Sequence, residues 1–124
     1  MVVVYRDGCV RVWLVDTGGG MNPIAARTDA NQQKIVDALR AAGASVECLH
    51  RVGHGVTDLL VGFYDHRVGL FNGYEMDGIY RNMLMEVKTA SGKLTPDQVK
   101  WHAEWKGQKA VVRSVADALA LIGR

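Results

Sequence analysis

The chain has 124 residues, of which 48% are hydrophobic and 23% charged, with 15 Lys and Arg against 13 Asp and Glu and a formal net charge of +2. This length suits one globular domain, and the composition excludes a disordered, collagen-like or disulfide-rich chain. The small positive charge permits an anionic partner without requiring one. Because two cysteines, Cys9 and Cys48, are too few for a disulfide framework, we expect reduced thiols and a cytoplasmic protein.

The N-terminal segment is compatible with two interpretations. Asp7-Gly8 stands between runs rich in β-branched residues, a pattern typical of a β-hairpin. Alternatively, three glycines directly before Met21 can be encoded by a purine-rich ribosome-binding site, with Met21 as the true start and the preceding residues as a translated leader. We therefore separate an N-terminal extension, residues 1–20, from a domain at residues 21–124. The extension is too short and too interrupted by charge to be a signal peptide or a membrane span.

The first half of the domain predicts one helix and then strands. Helical periodicity runs from Asp29, a candidate N-cap, to Gly43. Strands are predicted within residues 44–52, 57–64 and 83–89, and a short extra strand within residues 68–71. The segment after Asp58 is nearly all apolar, as expected for a strand that is covered on both faces.

The second half of the domain predicts a helix, a strand and a trailing helix. Thr95 as N-cap, Pro96 at the first helical position and Gln98 as the partner in a capping box begin a helix that ends at Gly107. A last strand follows, and Ser114 caps a short terminal helix. This order predicts a single α/β domain with an αβββαβ core, in which helices flank a mixed central sheet.

Glu86 and Lys88 share one face of a predicted strand, because residues i and i+2 point to the same side. An exposed ion pair contributes only about 0–1 kcal/mol, which is a weak reason to interrupt an apolar run. If the strand that begins at Asp58 is a neighbour, the two carboxylates converge. Hard oxygen ligands suit Mg²⁺ or Mn²⁺, and a lysine beside such a site can hold a phosphate oxygen or help to deprotonate water. The three residues predict metal-assisted phosphodiester hydrolysis.

Asp58 followed by Glu86-Val87-Lys88, in this order of elements, resembles the PD-(D/E)XK nuclease superfamily. Within it the chain is most similar to small phage and viral nucleases of the VRR-NUC and Holliday-junction-resolvase-like type, over residues 28–122. The resemblance implies a restriction-endonuclease-like fold and a Mg²⁺-dependent DNA endonuclease, with Mn²⁺ able to substitute. It further implies a role in phage or prophage replication, repair or recombination in the cytoplasm of a bacterial host. It also implies selectivity for branched DNA and a homodimer.

The resemblance also implies roles for individual residues. Asp58 and Glu86 would bind the metal, with the Val87 carbonyl as a third ligand, and Lys88 would position and activate the water. Relatives place a polar residue that faces the site at the position of Gln98. For that residue, the capping box is an alternative of equal weight.

The first helix departs from the pattern of the resemblance. Many relatives carry a glutamate there that completes the metal site, and this helix has none. Asp29 is assigned to capping, so Asn31 or Gln32 is the expected neighbour of the site. The missing glutamate argues against a strong second metal site, but not against hydrolysis.

Loops beside the predicted site carry the expected DNA contacts, which are Arg51, His54 and Lys93. The glycines on both sides of His54 either let the main chain approach DNA closely or form a simple turn. Cys48, His50 and His54 have a spacing that suggests zinc, but a fourth ligand is missing and core packing of Cys48 is preferred. Further candidate phosphate contacts are Arg67, Lys100, Lys106 and Lys109.

Trp101 and Trp105 lie four residues apart on the second predicted helix, where a core position is preferred over a base-stacking platform. The rival function is a catalytically silent DNA-binding or packaging accessory protein with the same fold. The complete set of Asp58, Glu86 and Lys88 argues against it. A hydrolase of another phosphoester is a third alternative. No small-molecule cofactor and no membrane partner are expected.

Overall fold

A computed structural model describes residues 2–6, 10–14, 30–49, 52–67, 69–71, 73–75 and 77–124 of the protein. These residues contain three helices and eight strands. The helices are α1 (Ala30–Ala41), α2 (Pro96–Glu104) and α3 (Val115–Leu121). The strands are β1 (Val2–Arg6), β2 (Val10–Leu14), β3 (Ser45–Cys48), β4 (Leu59–Asp65), β5 (Leu70–Phe71), β6 (Tyr74–Glu75), β7 (Ile79–Val87) and β8 (Lys109–Val112).

A four-stranded sheet in the order β3-β4-β7-β8 forms the centre of the domain. The first two pairings are antiparallel, whereas β7 and β8 are parallel. A parallel pair needs a crossover connection, and α2 supplies it. The predicted mixed α/β class, with helices and a mixed central sheet, is therefore confirmed. The short extra strand is present as β5, which pairs only with β6.

One face of the sheet packs against α1 and α3 and forms the hydrophobic core. The core side chains of the two helices include Ile35, Val36, Leu39 and Ala118, and those of the sheet include Val46, Leu59, Val61, Met85 and Val112. Each of the Ile, Val, Leu and Met side chains contributes about 1.5–3 kcal/mol when it is fully buried. Burial alternates along β4, because Leu59 and Val61 are buried whereas Leu60 is only half-buried. The expectation that this strand is covered on both faces is therefore wrong.

Among the described residues, α2, a helix of 9 residues, lies over the opposite face of the sheet, where Gln98 contacts Glu86. None of its side chains is buried, and Trp105 is 45% exposed. Trp101 and Trp105 stack on each other with ring centroids 5.2 Å apart and border a groove on Leu60 and Leu84. The predicted core position of the two tryptophans is wrong, because α1 and α3 already occupy the core face and α2 is too short to seal the other one.

The N-terminal strands β1 and β2 form an antiparallel pair from Val2↔Leu14 to Arg6↔Val10, as the hairpin interpretation predicts. Met21 lies outside the described residues, so the true start and the domain boundary stay predictions. No helix in the described part of the chain is long and apolar enough to cross a membrane.

Cys48 ends β3 and packs half-buried against the core, as predicted. It is disulfide-bonded, so the expectation of a reduced thiol is wrong for this residue. The other cysteine of the sequence, Cys9, lies outside the described residues.

An ion cluster closes the end of the sheet that is remote from Asp58. Asp65 ends β4, and its carboxylate accepts from Arg67 Nε at 2.8 Å and lies 3.0 Å from Arg81 Nε. The Arg67 guanidinium also donates to the carbonyl groups of Ala120 and Leu121 at the end of α3. Arg67 is therefore a structural link between the end of β4 and α3, and its candidate role as a phosphate contact stays a prediction. Its hydrogen bonds lower the pKa of Asp65 from the usual 3.8 to about 2.

We predict that Asp65→Asn destabilises the protein at neutral pH and that the difference from wild type disappears in acid. The folded-state pKa is depressed, so the stabilisation is present above the usual pKa of 3.8 and is lost as the pH falls towards about 2. Urea unfolding of both proteins across this range measures the difference. Asp77→Asn, which changes an exposed carboxylate, is the control. An equal difference at neutral pH and at about pH 2 would contradict the prediction.

Candidate metal and active site

The register between β4 and β7 brings Asp58 and Glu86 together. Leu59 pairs with Met85 in this antiparallel ladder, so the next position along it places Asp58 opposite Glu86. Leu59 and Met85 point into the core, and successive residues of a strand alternate sides. The two carboxylates therefore lie on the other face, under the start of α2. The sequence predicted their convergence on the condition that the two strands are neighbours, and they are.

Glu86 has two carboxylate oxygens in different environments, although the residue is only 1% exposed. Oε1 accepts from Gln98 Nε2 at 2.7 Å and lies 3.7 Å from Lys88 Nζ. Oε2 is buried and accepts from no N–H donor, and the Asp58 carboxyl is the neighbouring group with which Glu86 can share a proton. Leaving such a buried polar atom unpaired costs about 1–3 kcal/mol. The site therefore has one satisfied oxygen and one that is available to a ligand.

The electrostatics of Glu86 indicate what that ligand would be. Burial and then the negative charge of Asp58 raise the pKa of Glu86 from the usual 4.5 to about 7, and the Lys88 ammonium only partly opposes this. Two carboxylates at close range disfavour each other's ionised form. A proton or a cation bound between Asp58 and Glu86 removes the repulsion between the two charges.

Asp58 is held by main-chain groups on both sides. Its Oδ2 accepts from the Val87 N–H at 2.8 Å, and its carbonyl oxygen accepts from the Leu49 N–H at 2.7 Å. In an extended residue the N–H and the C=O point to the same side. The Val87 carbonyl therefore faces the Asp58 side of β7, where a third ligand is predicted.

These donors fit a hard cation. Asp58, Glu86 and the Val87 carbonyl offer oxygen atoms only, the donor type that Mg²⁺ and Mn²⁺ prefer. No group of three or more His, Cys, Asp and Glu side chains that could hold a metal occurs among the described residues, so the remaining ligands of such an ion would be main-chain groups and water. The zinc alternative loses support, because the Cys48 sulfur is in a disulfide and His50 lies outside the described residues.

Gln98 performs both of the roles that its sequence position allowed. Its Oε1 accepts from the Thr95 N–H at 2.9 Å and completes the capping box of α2. Its Nε2 donates to Glu86 Oε1. Because the capping box fixes which end of the amide faces Thr95, it also directs the amide nitrogen towards Glu86.

Gly55 lets the turn before Asp58 approach α2. Its φ is +80°, and a Cβ at this position would collide with the Asp97 carbonyl group and lie 3.0 Å from the Gln98 nitrogen. Gly53 also has a positive φ but faces open space. Glycine is therefore needed at position 55 because the turn and α2 approach each other closely within the protein. Both sequence interpretations, an approach to DNA and a simple turn, missed this contact.

The start of α1 also reaches the site. Asn31 Nδ2 donates to the Lys88 carbonyl at 2.9 Å and to the Arg113 carbonyl at 3.2 Å, which ties α1 to the ends of β7 and β8. Asn31 is thus a neighbour of the site, as predicted, through main-chain contacts. Gln32 is buried within α1. The first turn of α1 has no acidic residue.

Arg113 is a neighbour of the site that the sequence analysis missed. Its Nη1 donates to the carbonyl groups of Thr89 and Gly92 at 2.8 Å and 2.6 Å and holds the loop that follows Lys88. The parallel register Val87↔Val112 places Arg113 beside Lys88, but this register cannot be read from one sequence. In the loop and turn beside the site, Lys93 and His54 are exposed. The third predicted DNA contact, Arg51, lies outside the described residues.

No protein-family model, curated protein or solved structure matches this chain. The functional assignment therefore depends on the residues and geometry of the site itself.

We predict that Glu86→Gln stabilises the metal-free protein at about pH 8 by about 1–3 kcal/mol and changes little near pH 5. The raised pKa means that wild type loses stability as the pH rises from about 4.5 to about 7, whereas a neutral amide does not. Urea unfolding in a chelator at both pH values measures this. Glu47→Gln, on the exposed side of β3, is the control. Equal destabilisation by Glu86→Gln at both pH values would contradict the prediction.

We also predict that Gly55→Ala destabilises the protein more than Gly53→Ala does. Both substitutions place alanine at positive φ, which costs about 1–2 kcal/mol, but only Gly55→Ala adds a collision with α2. Urea unfolding of both variants measures the difference, and Gly53→Ala is the matched control. Equal losses of stability would show that the contact with Asp97 is unimportant.

Proposed function

We propose that this protein is a metal-dependent DNA endonuclease that hydrolyses phosphodiester bonds, with a PD-(D/E)XK core. The observation that carries the proposal is the Glu86 carboxylate, which is buried, faces Asp58 and keeps one oxygen that accepts from no N–H donor. A purely structural carboxylate would be expected to have both oxygens paired. The observed order of helices and strands supports the same fold family.

Asp58 and Glu86 would hold the ion, with the Val87 carbonyl beside them. A bound Mg²⁺ or Mn²⁺ would polarise a phosphoryl oxygen and lower the pKa of a coordinated water. Gln98 fixes the Glu86 carboxylate through Oε1, and Oε2 would be the oxygen that binds the ion. The main-chain hydrogen bond from Val87 fixes Asp58 in the same way.

Lys88 would act on the substrate. Its ammonium lies 3.7 Å from Glu86 Oε1, and its side chain is 17% exposed, so it borders both the carboxylate and the cleft. From this position it can donate to a non-bridging phosphate oxygen or orient the attacking water. In-line attack on the phosphorus would leave a 5′-phosphate and a 3′-hydroxyl, by analogy with the nucleases that the sequence resembles.

The substrate and setting follow from the resemblance and from the exposed groups beside the site. His54 and Lys93, which are exposed beside the site, would contact DNA phosphates, and Arg51 is proposed from the sequence alone. Branched DNA, a homodimer and phage or prophage replication, repair or recombination in a bacterial cytoplasm belong to the same proposal. The accessory-protein alternative is weaker, because the complete set of Asp58, Glu86 and Lys88 argues against a degenerate site.

We predict that wild type cleaves at least one of a linear, nicked, flapped or four-way DNA substrate with Mg²⁺ or Mn²⁺. Asp58→Asn, Glu86→Gln and Lys88→Ala should each lower the rate by about 10²-fold or more, because each removes a group that acts at the reacting phosphate. Lys34→Ala, at an exposed lysine of α1, is the control. The proposal fails if wild type cleaves none of the substrates, and the role of Lys88 fails if Lys88→Ala cleaves as fast as wild type.

Thermal unfolding gives a second readout that does not need catalysis. Mg²⁺ or Mn²⁺ should raise the Tm of wild type but not that of Asp58→Asn, because only the intact site binds the ion. Circular dichroism of each variant without metal shows whether it is folded.

A further inference from the structure

We propose that α2 and the turn before Asp58 form a pocket for an unpaired nucleobase next to the cleaved phosphate. This inference rests on the proposed nuclease function and adds a determinant of substrate choice to it. The pocket has a volume of about 270 Å³. It is lined by His54, Asp97, Lys100, Trp101 and Glu104.

The pocket adjoins the candidate metal site through two connections. Asp97 precedes Gln98, whose amide holds Glu86. His54 precedes Gly55, whose main chain packs on Asp97, and lies four residues before Asp58. A ligand in this pocket would therefore lie beside the end of the sheet where the metal ligands converge.

The helical repeat brings the pocket residues of α2 together. Positions 97, 100, 101 and 104 are three and four residues apart and occupy one side of the helix. This side remains accessible because no side chain of α2 is buried. Trp101 is half-buried and lines this pocket, so the base-stacking alternative applies to it.

The chemistry of the lining selects the ligand class. Trp101 offers an aromatic surface, and stacking of a base on such a ring contributes about 1–3 kcal/mol. Asp97 and Glu104 offer hydrogen-bond acceptors, whereas Lys100 and His54 offer donors. Two carboxylates disfavour an isolated phosphate, and four polar side chains disfavour an apolar ligand. A nucleobase, which is flat and has donors and acceptors along its edge, satisfies both kinds of group.

The carboxylates also predict a base preference. They accept hydrogen bonds from exocyclic amino groups such as N4 of cytosine and N6 of adenine. Thymine has no exocyclic amino group, so it should be disfavoured. Full access to the edge of a base requires that it is not paired, as in a flap, at a junction or after extrusion from the duplex.

The backbone conformation of the turn that carries His54 places this residue at the pocket. His54 has a φ of +57°, which is uncommon for a residue other than glycine and costs about 1–3 kcal/mol. Gly53 and Gly55 on either side also have positive φ values. This run of three residues with positive φ places His54 at the pocket. Placing His54 there is a role for the Gly-His-Gly sequence that is separate from the metal site.

Cleavage of flapped DNA with randomised bases around the cut tests the pocket. Wild type should cut sites with cytosine or adenine at one position next to the cut about 10-fold faster than sites with thymine. Glu104→Gln should reduce this preference while cytosine-containing sites are still cut, and Trp101→Leu should slow cutting at all bases. Glu47→Gln, outside the pocket, should behave as wild type. Cutting by wild type without any base preference would overturn the pocket and leave the nuclease proposal intact.

A binding measurement in a chelator separates the two proposals. Deoxycytidine 5′-monophosphate should quench the tryptophan fluorescence of the full chain at lower concentration than thymidine 5′-monophosphate does. Trp101→Leu should abolish the quenching, and Glu104→Gln should remove the difference between the nucleotides. If this pattern is found but no DNA is cut, the pocket stands and the nuclease proposal fails. If neither nucleotide quenches, or if both quench equally in wild type, the pocket proposal is wrong.

Discussion

The antiparallel register of β4 and β7 is the constraint on which the candidate site depends. It is fixed by the core, because a slip by one residue would turn Leu59, Val61 and Met85 away from α1 and α3 and expose them. The same register leaves Asp58 and Glu86 opposite each other on the other face. Hydrophobic packing on one side of the sheet thus fixes the register that holds the Asp58 and Glu86 carboxylates close together on the other side, where their charges repel.

The two ends of the sheet shift the pKa of a buried carboxyl group in opposite directions. Asp65 at one end lies between two arginines, and its pKa falls to about 2. Glu86 at the other end is buried against Asp58, and its pKa rises to about 7. The first environment stabilises the charged carboxylate without help, whereas the second requires a proton or a cation. This difference supports a structural role for one end and a ligand-binding role for the other.

Much of the fold could be predicted from the sequence, because periodicity and capping residues are local signals. Thr95 and Gln98 mark the start of α2 correctly, and the apolar pattern locates the main strands. The pairing of Asp58 with Glu86 followed once the strands were assumed to be neighbours. The core position predicted for Trp101 was wrong because α1 and α3 occupy the core face of the sheet, which leaves the other face to the crossover helix α2. The link between Arg67 and α3 joins residues 53 and 54 positions apart, and no local signal reports such a contact.

Several unsatisfied, strained or uncovered groups lie at the Asp58 end of the sheet. They include the Glu86 oxygen that accepts from no N–H donor, the positive φ of His54 and the aromatic surface of α2 that no core element covers. Each costs stability, and a sequence selected only for folding would be expected to remove them. Their position around one cleft is explained if a cation, a phosphate and a base occupy it during function. The short α2 then has a reason to stay short, because a longer helix that sealed the sheet would also cover this cleft.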